Sequence, residues 1–511
     1  TGYKASVEQM YYGNQQFLFV YEQFDDVRLV AAPPSSIGKF GGDTDNWIWP
    51  RHTGDFSMFR VYASKDNRPA AYSPQNVPYR PKKHFSISTK GVKEGDFTMI
   101  YGFPGNTQEY ILSDAVAYIA ERSDPAKIAV RTGRLDIITK AQESDPALRI
   151  HYAAKHASIA NAWKKWQGEA LGIDRRGTVA AKFDYETQFG LWSVGRPEYA
   201  GVVMGLRAEY DRIMDAYFAY EITRETLSTL PAAYTPEERS EECFARRKFA
   251  EQALWRHAFR EYGRCPKVYR TPSYAEGMAR YKSPEAYADA LFEAVWEGSD
   301  SVAMQPAVRL REETKRMLDH ISWMLGTKSL RNLNSKILNE LYTTYIKGLR
   351  EWDRERAFYP DANLTLRVAY GSVAGYEYAD GEYHKPQTTL DGIIAKDNPE
   401  IYDYDIPQSL RDLYASKNYG RWGTVIDGRR TVPVCFLATN HTTGGNSGSP
   451  VLNAGGELIG INFDRTWRST MSDIAFDPAI CRNIAVDIRY VLFVVDRVGG
   501  AGYLLKEMTL K

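Results

Sequence analysis

The sequence is poor in cysteine and carries almost no net charge. Its four cysteines among 511 residues, Cys243, Cys265, Cys435 and Cys481, stand far apart, and none forms a Cys-x-x-Cys pair. That spacing argues against a zinc ribbon or a thioredoxin-type redox centre and leaves ordinary disulfides open. Sixty-five basic side chains against 64 acidic ones leave a formal charge of +1. Such a balance argues against a nucleic-acid-binding stripe or an acidic tail. No apolar run approaches the ~20 residues that span a bilayer, so no membrane span is expected. The longest run, Tyr490 to Val495, predicts a core strand or helix. The opening residues, TGYKASVEQMYYGNQQ, lack the apolar core of a signal peptide and read as the middle of a helix. There is no internal repeat and no low-complexity segment.

What is present is ordinary globular material, 43% hydrophobic and 25% charged. The length predicts two to four domains. Three textures follow one another. Residues 1–112 turn β-like after the opening stretch, in runs such as DVRLVAAPP, FSMFRVYAS and FTMIYGFPG bounded by Pro, Gly or Asp. Residues 113–350 place apolar side chains at three- and four-residue spacing, as in IHYAAKHASIANAWKKWQGEAL and FAEQALWRHAFREY, which predicts a helical block. From 351 to 511 the β character returns in TLRVAYGSV, TVPVCFLATN and ELIGINF. The expected architecture is one β body with a helical insertion; two β domains flanking a helical one is the alternative.

The stretch NHTTGGNSGSPVLNAGGELIGINFDR, Asn440 to Arg465, carries the sharpest chemical signal. A serine hydroxyl becomes a nucleophile when a base takes its proton and donors stabilise the oxyanion. Glycines on either side let successive N–H groups converge on one point. Ser447 is the candidate nucleophile, and the N–H groups of Gly445 and Ser447 are the candidate oxyanion donors. A Ser/Gly-rich hairpin loop without chemistry is the alternative. A second stretch, GKFGGDTDNWIWPRHTGDFSMFRVY, crowds Asp43, Asp45, Asp55, Trp47, Trp49 and His52 ahead of a strand. It begins like a calcium loop and then fails, with Trp47 at the fifth position and no glycine at the sixth, so no metal is expected. A carboxylate just before a buried strand suits the orienting acid of a triad, and a salt-bridged loop is the bland reading.

Together with FYPDANLTLRVAYG, KPQTTLDGI and VDIRYVLFVVD, these two stretches resemble the bacterial dipeptidyl-peptidase 7 and 11 family of serine peptidases over most of the chain. The resemblance implies a mixed fold: a chymotrypsin-like double β-barrel with a large inserted α-helical cap. It places part of the first barrel, with the triad acid, in 1–112, the cap in 113–350 and the second barrel, with the nucleophile, in 351–511. Ser447 then matches the nucleophile and Asp55 the triad acid. Asn46, Trp47 and Asn161 match residues that hold the substrate's N-terminus, and Asp464 matches the carboxylate that faces its free amine. Arg465 stands at the specificity position, where the dipeptidyl-peptidase 7 branch is similar to glycine and the 11 branch has arginine, which implies the acidic-specific branch. Peptides with a free N-terminus and an acidic second residue are the implied partners. A homodimer and a periplasmic or cell-surface location in a Gram-negative bacterium follow from the same resemblance, with no cofactor and no nucleic acid.

The chemistry of the residue types agrees with these roles. An ammonium ion is well held by a carboxylate and amide oxygens, and a guanidinium fits an Asp or Glu carboxylate in a two-pronged contact. One element departs from the family pattern. The family's catalytic histidine stands in an NHHC-like motif well before the acid. None of the eight histidines here (His52, His84, His151, His156, His257, His320, His384, His441) has that context. His441 coincides with another family histidine and is not the base. The expectation is that the first barrel's N-terminal part, with the base and any signal peptide, lies outside this sequence. A peptide-binding pseudopeptidase without a base is the competing function. A glutamyl-type endopeptidase is a third, less compatible with an amine clamp.

Overall fold

In this computed structural model, residues 3–298, 301–327 and 332–511 are described. Tyr3–Met10 (β1) and Gln15–Glu22 (β2) form an antiparallel hairpin, Tyr3 opposite Glu22 and Met10 opposite Gln15. This corrects the helical expectation for the opening residues. The spacing of Tyr3, Val7 and Met10 suits one helix face. Tyr11, Tyr12 and Gly13, however, all take positive φ, which turns the chain back after Met10. Val27–Ala31 (β3), Met58–Ala63 (β4) and Val77–Pro78 (β5) make a three-stranded antiparallel sheet.

The main sheet has seven strands. They are Phe97–Gly102 (β6), Arg367–Ser372 (β7), Gln387–Thr389 (β10), Pro433–Ala438 (β13), Ser449–Leu452 (β14), Leu458–Arg465 (β15) and Asn483–Asp487 (β16). Two ribbons, Tyr376–Ala379 (β8) with Glu382–His384 (β9) and Thr424–Ile426 (β11) with Arg429–Thr431 (β12), lie outside it. The spatial order is β10-β13-β16-β15-β14-β6-β7, so the sheet is open, with β10 and β7 at its edges. The closed barrels of the sequence reading are not seen among the described residues. β13 and β16 are buried along their whole length; β13 accordingly reads as a continuous apolar run, while β16 buries Asn483 and Asp487 at its two ends. Within β16, Ile484 and Val486 join a core with Trp422, Tyr490 and Leu437, while Ala485 joins a second core with Phe436, Ile100 and Val451. Period-two alternation thus feeds two cores, one on each face. The long apolar run forms the buried helix Ile488–Phe493 directly after β16. Among the described residues there is no disulfide.

The chain divides into two compact units. One comprises 1–110 and 359–511, the other 111–358. The second unit is helical, with long helices including Asp124–Ser144, Pro146–Arg175, Val202–Glu225 and Lys336–Trp352. Three of its helices start where the sequence provides a side-chain cap followed directly by a proline. Asp145, Thr271 and Ser283 accept from backbone N–H groups just ahead of Pro146, Pro272 and Pro284. In Lys336–Trp352, Leu338, Tyr342, Tyr345, Ile346 and Leu349 are buried on one stripe. No helix among the described residues is long and apolar enough to cross a membrane.

Candidate active site

The turn before β14 is shaped by one buried side chain. Asn446 is 3% exposed; its Oδ1 accepts from the Thr443 N–H at 3.0 Å and its carbonyl accepts from Ser449 N–H and Asn462 Nδ2. Gly448 N–H donates to the Asn462 carbonyl at 2.7 Å, tying the turn to β15. These bonds leave Ser447 at the exposed tip, where its Oγ donates to the Phe463 carbonyl at 3.3 Å. Gly445 has φ +105° and packs its α-carbon against the Phe103 carbonyl, a place no side chain could occupy. Among the described residues, no acceptor is bonded to the N–H of Gly445 or of Ser447.

β15 carries the next two predicted residues straight on from Phe463. Asp464 is half-buried and Arg465 is 4% exposed. Asp464 Oδ2 takes Arg51 Nη1 at 2.8 Å and the Trp47 N–H at 3.3 Å, and Oδ1 takes the Arg465 N–H at 2.8 Å. The guanidinium of Arg465 lies 5.6 Å from the centre of the Trp47 ring. Its Nη1 and Nη2 grip both carboxylate oxygens of Asp473 at 2.7 and 2.9 Å, and Nη1 also reaches Ser472 Oγ and the Thr442 carbonyl. The structure therefore brings Trp47, Asp464 and Arg465 together.

The loop that presents Trp47 is stiffened from below. Arg51 donates to the Asp45 carbonyl at 2.7 Å and to Thr53 Oγ1 at 2.9 Å. The Asp45 side chain, 5% exposed, binds Lys396 Nζ at 2.7 Å and the Tyr404 hydroxyl at 3.0 Å. Trp47 has φ +67°, a left-handed conformation that a tryptophan rarely takes and that this scaffold imposes. Asn46 is half-buried beside it. Asp55 follows in the same loop, its side chain open to solvent. Protein packed around it still raises its carboxyl pKa, with Arg51 opposing and Asp464 adding to the rise; an open-mouthed recess does both. Asn161 belongs to the helical unit, exposed on the helix Pro146–Arg175.

The histidines are engaged elsewhere. His441 Nε2 donates to the Ser472 carbonyl at 2.9 Å, its ring stacks on Phe476, and burial lowers its pKa to about 4. His52 is 5% exposed, lies against Gly392, and is driven to about 3 by burial and then by Lys396. Neither bonds to Ser447. One consequence is testable. The unfolded chain protonates His52 below its ordinary value of 6.5, whereas the folded chain does not until about 3. Stability is thus present above that ordinary value and lost as pH falls below it. His52→Leu should remove about 2 kcal/mol of the stability lost between pH 7 and pH 5, at about 1.4 kcal/mol per pH unit. Denaturant midpoints of both proteins at the two pH values measure it; equal losses would place a solvated imidazole in the native state.

Sequence reasoning passed over Arg51, Asp473 and Asn446. A buried arginine demands a carboxylate, and Asp473 is the first acid after Arg465, so that much was available. One group of metal-ligand types, His151, Glu241 and Cys243, gathers in the helical unit. Arg247 Nη1 already sits 2.6 Å from His151 Nε2 and 3.3 Å from Glu241, so a guanidinium fills the position a cation would take.

A family model described as Peptidase S46 matches residues 1–236 and 237–510. An Asp/Glu-specific dipeptidyl-peptidase of Capnocytophaga gingivalis is 43% identical over 551 residues, covering 99% of this chain and 76% of the relative. A dipeptidyl-peptidase 7 of Phocaeicola vulgatus is 35% identical over 551 residues, covering 100% and 76%. The crystal structure of Porphyromonas endodontalis DPP11 in complex with the dipeptide Arg-Glu is similar with a TM-score of 0.84 at 34% identity, covering 100% of this chain and 78% of that one.

Proposed function

The chain belongs to the peptidase S46 family, and we propose that it is a serine exopeptidase that releases dipeptides from the free N-terminus of peptides, cutting after Asp or Glu. The observation that carries this reading is the run Phe463-Asp464-Arg465. The nucleophile candidate leans on the carbonyl of the first, and the two charged residues that follow meet Trp47. An enzyme that counts two residues from an amine needs an anion for that amine and a cation for the acid one residue further on. Asp464 accepts from the Trp47 N–H and Arg465 lies over the Trp47 ring, so one residue has the anion and the cation at its two ends.

In this reading Ser447 attacks the scissile carbonyl and the Gly445 and Ser447 N–H groups take the oxyanion. Asp55 orients the base, which is none of the eight histidines of this sequence. Asp464 receives the substrate's ammonium. A carboxylate has about four lone-pair sites, so Arg51 and the N–H groups of Trp47 and Arg465, three donors that fix its plane, leave it capacity for one more. Asn46 and Trp47 complete the clamp, and the resemblance alone implies a part in it for Asn161. The resemblance further supports a chymotrypsin-type double barrel in 1–112 and 351–511 with an inserted helical domain in 113–350. It also supports a homodimer in the periplasm or at the cell surface.

Acetylating the substrate's amine tests the clamp. Asp464 keeps Arg51 and would lose only the charge-assisted bond from the ammonium, at a cost of about 1.5–3 kcal/mol. Hydrolysis of the acetylated peptide by the full gene product should fall by about ten- to a hundredfold. Equal cleavage of free and blocked peptides would favour an endopeptidase. Binding of the free peptide with no turnover at all would favour the pseudopeptidase reading, which rests on the histidines being engaged away from Ser447.

A further inference from the structure

The fork of Arg465 is filled in the free protein by a carboxylate of the chain itself. Asp473 lies at the end of the short turn Trp467–Asp473, which follows β15. Its two oxygens take Nη1 and Nη2 at 2.7 and 2.9 Å, the arrangement an acidic substrate side chain would also use. Ser472 Oγ at 2.7 Å and the Thr442 carbonyl at 3.2 Å hold Nη1 independently of that charge.

We propose that Asp473 is a specificity-determining residue that keeps the acid-binding pocket electrically neutral. The proposal rests on the reading of Arg465 as the residue that meets the substrate's acid. A guanidinium 4% exposed and without a counter-ion would be strongly disfavoured in the free protein, and Asp473 removes that penalty. The same carboxylate then stands a few ångströms from the incoming one and repels it. Acid selection accordingly works through hydrogen-bond geometry toward a neutral pair, with little help from net attraction. The released dipeptide keeps its acidic side chain, so a pocket of uncompensated positive charge would hold product as firmly as substrate. Asp473 limits that retention.

Asp473→Asn keeps the shape and one acceptor oxygen and removes the charge. The KM for a dipeptide substrate ending in Asp should fall about tenfold, as the repulsion between like charges at this range disappears. The inhibition constant of the Asp-ended product should fall in parallel, and the ratio of kcat/KM for Asp- over Leu-ended substrates should rise by about tenfold. Asp473→Glu, which keeps the charge, should return KM toward that of the natural protein. An unchanged or raised KM for the Asp-ended substrate, or parallel shifts for both substrates, overturns the proposal. A second measurement needs no variant: product dipeptides ending in Glu and in Gln compete against the natural protein. A neutral pair predicts an advantage of less than about tenfold for Glu; an advantage of about a hundredfold or more overturns the proposal. If the natural protein shows no preference for acid over Leu, the role of Arg465 falls and this proposal with it. If it shows that preference and Asp473→Asn leaves it unmoved, only the proposal falls.

Discussion

Ser447→Ala should lower kcat/KM by at least about four orders of magnitude while the dissociation constant for an acid-ended dipeptide stays within a few-fold of the natural protein's. The substitution removes one oxygen at an exposed turn tip. The bonds that shape the turn run through Asn446, Gly448 and Asn462, and Ser447 contributes to it only the long contact to the Phe463 carbonyl. The fold of the turn is therefore expected to survive. The proposed amine and acid subsites, Asp464 and Arg465, are held by Arg51, the Trp47 loop and Asp473, in bonds in which the Ser447 hydroxyl takes no part. What disappears is the nucleophile, and the oxyanion donors alone retain only the modest residual catalysis typical of triad knockouts. Single-turnover kinetics and calorimetric titration on the same preparation separate the two effects. Hydrolysis within tenfold of the natural rate would remove Ser447 from the mechanism.

Arg465→Gly should depress kcat/KM for Asp- and Glu-ended substrates by about 30- to 1000-fold, or about 2–4 kcal/mol, the loss of the guanidinium's hydrogen bonds to the acid. Cleavage after apolar residues should rise, because the emptied volume is flanked by the Trp47 ring. The substitution has a second effect that the structure makes explicit. It strands Asp473, whose carboxylate loses its partner in a buried place, and breaking such a pair by removing one member costs about 3–5 kcal/mol of stability. The loss of activity must therefore be expressed per folded active site. Adding Asp473→Asn to Arg465→Gly should recover most of that stability without restoring acid cleavage. The measurement is the ratio of kcat/KM for paired substrates ending in Asp and in Leu, with thermal midpoints alongside. A ratio that does not move would make Arg465 a buried structural ion pair and nothing more.

Much of the site was legible because its chemistry is local in sequence. The turn around Ser447 announces itself by its glycines, and Asp464 and Arg465 lie on the strand that follows it. One central strand was legible for a similar reason: PVCFLA has no polar face, so burial on both sides suits it, whereas NIAVD, with Asn483 and Asp487 on one face, gave no such signal. What escaped depends on contacts between distant segments. Arg51 and Asp464 are 413 positions apart and nothing in either neighbourhood names the other. Asp473 sits in WRSTMSD, a stretch with no periodicity, and only the requirement that a buried arginine be neutralised points to it. The opening hairpin was misread because Tyr3, Val7 and Met10 fit a helical face as well as a strand. The deciding feature, a run of left-handed backbone at Tyr11, Tyr12 and Gly13, includes two tyrosines that carry no such signal.

The position of β6 in the main sheet has a consequence for how the protein comes into being. β6 pairs with β7 along its whole length, Phe97 opposite Ser372 and Gly102 opposite Arg367, and its other edge pairs with β14 just after the nucleophile turn. The entire helical unit is translated between β6 and its first partner. At about 5–20 residues per second, β6 waits on the ribosome for many seconds with both edges open, while the helices, whose contacts are more local, can already fold. The turn bearing Ser447 cannot be pinned until β14 reaches β6, and the charged end of β15 is not fixed until β16 pairs with it, Arg465 opposite Asn483. The candidate centre therefore cannot assemble on a nascent chain until β14, β15 and β16 have all emerged, so the order of synthesis places it after the helical unit.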